Sequence, residues 1–456
     1  MAKVKAMTHT TNGMAAHAST QDALVDMFFA IGAMRGKNPT VLFDRAYAAD
    51  PVLATKIALW VRDVRGGAGE RQLFRDILVH MEKNYPSMLE RIIRHVPTFG
   101  RWDDLLVFNT DAFKAQAYTF IGEALRQGDG LCAKWMPRKG KIAIEIRDFF
   151  GMTPKQYRKG LVALTNVVET AMCAKDFANI EFGKLPSLAS SRYQKAFARN
   201  APAEYEKYKA ALVAGTAKVN AAALYPYDVL KAIRTGDEVV ATAQWNALPN
   251  YVGDNRILPI IDVSGSMGCA AGGSGSVSCM DVAISIGMYL ATHNTGDFNG
   301  LFMSFSQNPT ISKMKGTLRQ MEAQVQGAEW GYNTNLERAM RVLLAHCKQN
   351  QVKKADLPEY LMIMSDMQFD QATGGMSVTA MDMIRAEFAA AGYDVPKVVF
   401  WNINAHGNTP ATFNEAGVAL VSGFSPAIVR SVLAAKTFTP ADVMMETIGS
   451  ERYDVL

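Results

Sequence analysis

Between about residues 20 and 250 the apolar positions recur at helical spacing. In 53–64, Leu53, Ile57, Trp60, Val61 and Val64 fall at steps of four, three, one and three, which puts them on one helix face. Leu73, Phe74, Ile77, Leu78 and Met81 repeat the pattern in the next stretch. The intervening RDVRGGAGER places Gly66 and Gly67 where the first helix ends and Glu70 in the first turn of the second, a helical hairpin. The same spacing predicts helices over 20–33, 86–95, 111–127, 153–173, 201–214 and 223–234, separated by Gly, Pro or Asn. Amphipathic helices joined by short turns, with no strand among them, predict stacked pairs of the HEAT type, an all-α solenoid in which each pair buries its face on the next. No fixed repeat length is visible, so the solenoid rests on the succession of helices. Residues 1–19 carry no period and are expected to form a flexible tail.

The pattern changes near Pro249. RILPIIDVS (256–264) is a short apolar run rich in β-branched residues, as expected of a strand buried on both faces. A helix over 281–293, a strand over 298–305, a helix over 335–348 and a strand over 360–365 follow. The alternation continues with a helix over 379–391, strands over 397–403 and 418–422, and a helix over 426–435. This predicts a doubly wound, Rossmann-like α/β domain whose ligands sit beyond the carboxyl ends of the strands. The fold class is therefore α + α/β, with a tail over 1–19, a helical-repeat domain over 20–250 and an α/β domain over 254–456.

Composition adds a division of charge. Hydrophobic residues make up 49% and charged residues 20% of the 456, the balance of an ordinary globular protein, and the 25 methionines read as core filler. Residues 1–255 hold 34 Lys and Arg against 25 Asp and Glu, whereas 256–456 hold 14 against 18. A basic first half favours a polyanionic partner. The five cysteines are scattered and read as reduced thiols; Cys269 and Cys279 flank a Gly/Ser loop, where a disulfide would need an oxidising compartment. No apolar run has the length of a membrane span and no signal-peptide core is present, so a soluble, cytoplasmic protein is expected.

The candidate chemistry lies at the strand ends. DVSGSM (262–267) follows the first strand and can turn Asp262, Ser264 and Ser266 toward one centre. WGYNTNLERAM supplies Thr334 where a loop opens a helix, and LMIMSDMQFD supplies Asp366 at the end of another strand. Two carboxylates and three hydroxyls suit a hard cation such as Mg²⁺, or Mn²⁺ or Ca²⁺ in its place, which takes about six oxygen ligands and keeps waters. Such a shell is incomplete, so a partner's carboxylate or phosphate oxygen can fill the open position. The plainer reading, in which the aspartates only cap turns, does not explain why three separate segments deliver oxygens to one topological place. Asp370 and Asp281 lie nearby and either could support the ligands from behind, though Asp281 fits a helix N-cap better.

Two basic clusters stand out in the first half. Arg62, Arg65, Arg71, Arg75 and Arg101 are interleaved with Asp63, Glu70, Asp76, Asp103 and Asp104, which can pair with them. Lys134, Arg138, Lys139, Lys141, Arg147, Lys155, Arg158 and Lys159 face only Glu145 and Asp148, with Trp135 and Tyr157 interleaved, a charge density that suits RNA phosphates. No metalloprotease histidine pair, nucleophile elbow or phosphate-binding loop is present; GGAGER follows a helix instead of a strand. No catalytic residue is assigned and no enzymatic activity is expected.

The segments DVSGSM, NTNLERAM and SDMQFD resemble the MIDAS metal motif of von Willebrand A domains. Together with LVDMFFAIGAMRG (24–36), RDVRGGAGERQLF (62–74), GRWDD (100–104), YRKGL (157–161), GYDVPKVVFWNI (392–403) and VSGFS (421–425), they resemble the TROVE plus von Willebrand A architecture of the Ro ribonucleoprotein family. The nearer likeness is to a branch defined as a domain of unknown function. The Ro resemblance implies helical repeats forming a ring that binds small structured RNA, closed by a metal-binding A domain. The open cation position also leaves a second reading, a metal-dependent protein interaction or assembly module that grips an acidic partner without RNA.

Overall fold

The computed structural model describes residues 7–165, 167–221, 224–271, 277–305, 308–327, 334–375 and 377–456. Its helical region comprises α1 (Ala23–Ile31), α2 (Thr40–Ala49), α3 (Pro51–Arg62), α4 (Arg71–Asn84), α5 (Pro86–Ile92), α6 (Val96–Phe99), α7 (Asp111–Arg126) and α8 (Gly130–Trp135). It continues through α9 (Lys141–Phe149), α10 (Pro154–Leu164), α11 (Val168–Cys173), α12 (Ser187–Asn200), α13 (Pro202–Val213), α14 (Pro226–Thr235) and α15 (Glu238–Asn246). Local chemistry explains the boundaries. Asp50 caps α3 by accepting from Leu53 N–H at 2.8 Å, and Pro51 occupies the first turn, where its missing N–H costs nothing. Gly67 lies so close to Trp60 that a Cβ would meet its carbonyl oxygen, so the α3–α4 turn requires glycine there. Glu70 precedes α4 as its N-cap residue and pairs with Arg35 instead of sitting in the first turn.

The helix expected over 153–173 is two helices. It breaks at Thr165, whose backbone turns extended and whose hydroxyl donates back to Leu161 O at 2.6 Å. Helices α2, α8, α9, α12 and α15 were not predicted because their buried faces are short or partly polar; α12 buries Ser187, Ser190 and Gln194 beside Phe197.

The sheet domain comprises β3 (Ile257–Asp262), α16 (Cys279–His293), β4 (Leu301–Phe305), β5 (Thr310–Lys313), α17 (Leu318–Gln326), α18 (Leu336–Gln349), β6 (Tyr360–Ser365), α19 (Ala380–Ala391), β7 (Lys397–Asn402), β8 (Val418–Ser422), α20 (Ile428–Ala434) and α21 (Pro440–Ile448). The strand order is β5-β4-β3-β6-β7-β8, parallel except for β5. Ile261 pairs with Met364, Ser365 with Asn402 and Asn402 with Ser422, so Asp262, Ser365, Asn402 and Ser422 end adjacent strands in one row. That row lines the carboxyl edge, where a parallel sheet places its site. Along β3, Leu258 and Ile260 enter one core with α18 and α19, while Ile257 and Ile261 enter the other with α16.

Residues 7–17 are not a flexible tail. Strands β1 (Met7–His9) and β2 (Ala15–His17) form an antiparallel hairpin, with Met14, Ala15 and Ala16 buried. It docks on the loop after β6: Thr10 Oγ1 donates to Phe369 O at 2.6 Å, Asn12 Nδ2 to Gln368 O at 2.8 Å, and Gln371 N to Asn12 O at 3.1 Å. Residues 1–6 of the expected tail lie outside the described residues.

Both ends of the helical region pack on the sheet domain. Beside β8, Gly32 N donates to Ser422 Oγ at 3.0 Å, and a Cβ on Gly32 would stand 2.5 Å from Ser422 O, so only glycine allows α1 this close. At the far end Arg234 of α14 reaches Asp281 of α16 at 2.7 Å and Glu322 of α17. One hydrophobic core runs through both regions, and a smaller one around Phe182, Phe197, Tyr205 and Tyr208 belongs to the helical region alone.

Candidate metal centre

Asp262 ends β3 fully buried. Its Oδ1 accepts from Ser264 N–H at 2.9 Å, which folds the chain back, and its Oδ2 accepts from Ser365 Oγ at 2.6 Å. A 3-10 turn over Gly265–Gly268 then sets Ser266 Oγ 3.1 Å from Ser264 Oγ. Ser264 is buried and Ser266 exposed, so this turn is where the site opens to solvent. From β6 comes Asp366, followed by Met367 at φ 64°, a left-handed conformation uncommon outside glycine. This strained residue, buried and held by Ser365 Oγ accepting its N–H at 3.0 Å, turns the chain so that Gln368 N donates to Asp366 Oδ1 at 3.2 Å.

Thr334 reaches the same loop through Asp370. Thr334 N donates to Asp370 Oδ1 at 3.1 Å, and Asp370 N to Thr334 O at 2.9 Å. Asp370 therefore positions Thr334, and burial raises its carboxyl above the ordinary range. Residues 330–333 of the predicted Thr334 loop lie outside the described residues. Asp281 is not the helix N-cap: Ser278 is, and Asp281 is its capping-box partner, accepting from Ser278 N at 2.9 Å.

The electrostatics of the pocket are unbalanced. Burial, and then the neighbouring Asp366 carboxylate, push the Asp262 carboxyl up to about 7. Asp366 Oδ2 and Thr334 Oγ1 are buried without a hydrogen-bond partner among the described residues. His406 Nε2 lies 3.6 Å from Asp366 Oδ2. Leaving a buried polar atom unsatisfied costs about 1–3 kcal/mol, more when it is charged, so one on Asp366 and another on Thr334, which is bonded to the loop after Asp366, call for a partner. A divalent cation fits that demand. Among the described residues no group of three His, Cys, Asp or Glu gathers around a metal position, so a cation here would rely on hydroxyls and water beside two carboxylates. That donor set suits Mg²⁺, Mn²⁺ or Ca²⁺ rather than zinc.

Sequence reasoning missed Ser365, His406 and Gln368. Ser365 adjoins Asp366 and its role emerges only from the β3–β6 register. His406 lies in the loop after β7, a carboxyl-edge position that was the only available signal. Gln368 is fixed from outside: its Oε1 accepts from Thr11 N–H at 2.7 Å, so the N-terminal hairpin buttresses the loop that carries Asp366.

The basic clusters part company. Arg62 and Arg75 both bind Asp104 at 2.7 Å, Arg101 binds Asp103 at 2.7 Å, and the Arg101 guanidinium stacks 3.7 Å over the Trp135 ring. This network holds helices together, and Trp135 is occupied by it. In the second cluster Arg138, Lys139, Lys141, Lys155, Arg158 and Lys159 are exposed, while Lys134 and Arg147 are half-buried. Lys141 lies 3.7 Å from Glu145 and Arg147 3.0 Å from Asp148, and Arg138 donates to Thr165 Oγ1 at 3.3 Å. Tyr157 is buried, its hydroxyl on Pro137 O at 3.1 Å. No helix among the described residues is long and apolar enough to cross a membrane.

Comparison with known proteins covers nearly all of this architecture. An uncharacterised protein of Acanthamoeba polyphaga mimivirus, L728, is 26% identical over 506 residues, spanning 97% of this chain and 87% of its own. The crystal structure of the Deinococcus radiodurans RO (RSR) protein aligns with 94% of this chain and 100% of its own at 15% identity and a TM-score of 0.49. Family models match two regions. One for a domain of unknown function (DUF2828) matches residues 10–112 and 141–255, and one for a domain of unknown function (DUF7788) matches residues 256–453. The chain is thus similar to DUF2828 over β2 and most of the helical region, and to DUF7788 over the region that carries the sheet and the candidate metal centre.

Proposed function

We propose that this chain is a non-catalytic, Ro-like binding protein in which Asp262, Ser264, Ser266, Thr334 and Asp366 hold a divalent cation, Mg²⁺ by preference, in the manner of a von Willebrand A-type MIDAS. The observation that carries this reading is the Asp366 carboxylate beside a fully buried Asp262, with Asp366 Oδ2 and Thr334 Oγ1 both buried and unpartnered among the described residues. When bound, the cation supplies a docking point for an anionic oxygen, carboxylate or phosphate. Around it the protein's own groups do the positioning: Ser365 and Ser264 N–H orient Asp262, Gln368 N–H orients Asp366, and Asp370 sets Thr334.

The proposed partner of the helical region is a small structured RNA. Six exposed cations on α9, α10 and the turn before α9 support this, with phosphate contact as their role. So does the docking of both ends of the helical region on the sheet domain, which suits a TROVE-like ring of HEAT-type repeats. Electrophoretic mobility shifts with small structured RNAs test it. Binding is expected to weaken steeply between low and moderate salt and to fall at least tenfold when Lys139, Arg158 and Lys159 are changed to Glu. Absence of binding, or binding indifferent to salt and to these changes, contradicts it.

A second reading, an acidic protein partner without RNA, draws support from a different observation. Ile142, Ile144, Phe149 and Met152 are exposed among the same cations, an apolar element more typical of protein contacts. It predicts a partner released by EDTA and by Asp262→Ala. A partner that survives both sinks this reading.

A further inference from the structure

Cys269 closes the 3-10 turn that carries Ser266, its N–H reaching Ser266 O at 3.3 Å, and Cys279 opens α16. The two cysteines face each other across a short antiparallel ladder. Ala270 bridges Ser278, Cys279 N donates to Cys269 O at 2.9 Å, and Ala271 N donates to Val277 O at 2.8 Å. This ladder fixes the two sulfurs 3.4 Å apart. A disulfide bond is about 2.05 Å long, so closure needs the sulfurs to approach by about 1.4 Å, within the reach of side-chain rotation while the backbone stays paired. Cys269 is exposed and Cys279 is buried. An oxidant from solvent meets one thiol first and finds the second directly behind it. Cys173 is also exposed but has no sulfur partner among the described residues, and Cys132 and Cys347 are buried.

We propose that Cys269 and Cys279 form a peroxide-reactive dithiol, a modification site whose oxidation cross-links the Ser266 turn to the first turn of α16. In the first step the Cys269 sulfur attacks hydrogen peroxide; an S–O bond forms, the O–O bond breaks and one water leaves, giving a sulfenic acid. In the second step the Cys279 sulfur attacks the Cys269 sulfur; the S–S bond forms, the S–O bond breaks, and the Cys279 proton departs with a second water. Two thiols lose two electrons and one peroxide gains them. The resulting disulfide ties the mouth of the candidate metal centre to the helix behind it, and a thiol reductant restores the open pair.

The test uses the intact full-length chain, treated with hydrogen peroxide, alkylated, digested with trypsin and read by mass spectrometry. Residues 257–313 form one tryptic peptide holding Cys269 and Cys279 and no other cysteine. The expected product is this peptide two hydrogens lighter and unalkylated, formed at least tenfold faster than any oxidation of Cys173 and reversed by dithiothreitol. Cys279→Ser should instead accumulate a dimedone-trappable sulfenic acid on Cys269, and Cys269→Ser should leave Cys279 fully alkylatable. A wild-type peptide that stays alkylatable while Cys173 oxidises, or a sulfenic acid on wild-type Cys269 that never proceeds to the disulfide, overturns the proposal. The mass readout does not depend on cation binding, so this proposal and the metal-centre reading can fail separately.

Discussion

At the scale of single residues, the buried oxygens around Asp262 carry a cost in stability. Thr334 Oγ1 is buried without a partner among the described residues, so Thr334→Val, which keeps the shape and removes the hydroxyl, should stabilise the metal-free protein by about 1 kcal/mol. The same change should weaken Mn²⁺ binding by roughly tenfold as one ligand is lost. Thermal melts with and without Mn²⁺ read both signs at once; a variant that is destabilised and keeps full affinity counts against a ligand role. Asp262 adds a pH dependence. Its carboxyl lies at about 7 in the folded protein, raised by burial and by Asp366, against about 3.9 in an unfolded chain. A raised carboxyl contributes stability that is fully present below pH 4 and is lost as pH rises through 7, on the order of a few kcal/mol. Metal-free wild type should therefore lose stability across that window relative to Asp262→Asn, measured by denaturant melts at pH 5 and pH 8. Parallel curves for the two proteins would show that Asp262 carries no such strain.

At the scale of elements, legibility followed burial. Strands β3, β6, β7 and β8 are buried along almost their whole length, so their apolar runs stood out, and the ends of β3 and β6 marked the site. Strand β5, TISK, is a polar, mostly exposed edge and left no pattern to read. Asp262, Ser264, Ser266, Thr334 and Asp366 were legible because oxygen side chains at strand and helix ends have a topological meaning. His406 and Ser365 were not, since only the folded register brings them to Asp366 and Asp262. The N-terminal hairpin was hidden for the same reason. Three-residue strands carry no period, and the partners of Thr10 and Thr11 lie more than 350 residues away in sequence. Because that hairpin holds Gln368 and the loop after Asp366, deleting residues 1–17 should lower Mn²⁺ affinity several-fold while the helical content of the circular dichroism spectrum persists. Unchanged affinity would reduce the hairpin to a passive cover.

At the scale of the whole molecule, the sequence suggested two modules and the structure joins them. The basic helical region and the sheet domain share one core, and polar contacts fasten both ends. Asp63, at the end of α3, is fully buried and takes Arg452 Nη2 at 2.6 Å and Tyr453 O–H at 2.9 Å from the last residues of the described chain. Losing Asp63 leaves the buried Tyr453 hydroxyl unpaired and the half-exposed Arg452 without its partner, at a cost of about 1–3 kcal/mol. Asp63→Ala should therefore lower the melting temperature of both regions together, seen as a single shifted transition by calorimetry. Two separated transitions, with only one displaced, would mean that the regions fold independently. A shared core also means that whatever the helices were to hold would keep a fixed position relative to the carboxyl edge of the sheet.

The central claim is that the buried oxygens of Asp262, Thr334 and Asp366 exist to hold a divalent cation. Isothermal titration of the metal-free full-length chain with Mn²⁺, beside the Asp366→Ala variant, tests it most directly. One site per chain in the wild type, competed by Mg²⁺ and weakened at least a hundredfold in the variant, is the predicted result; no saturable binding in the wild type, or equal binding in a folded Asp366→Ala protein, would contradict it.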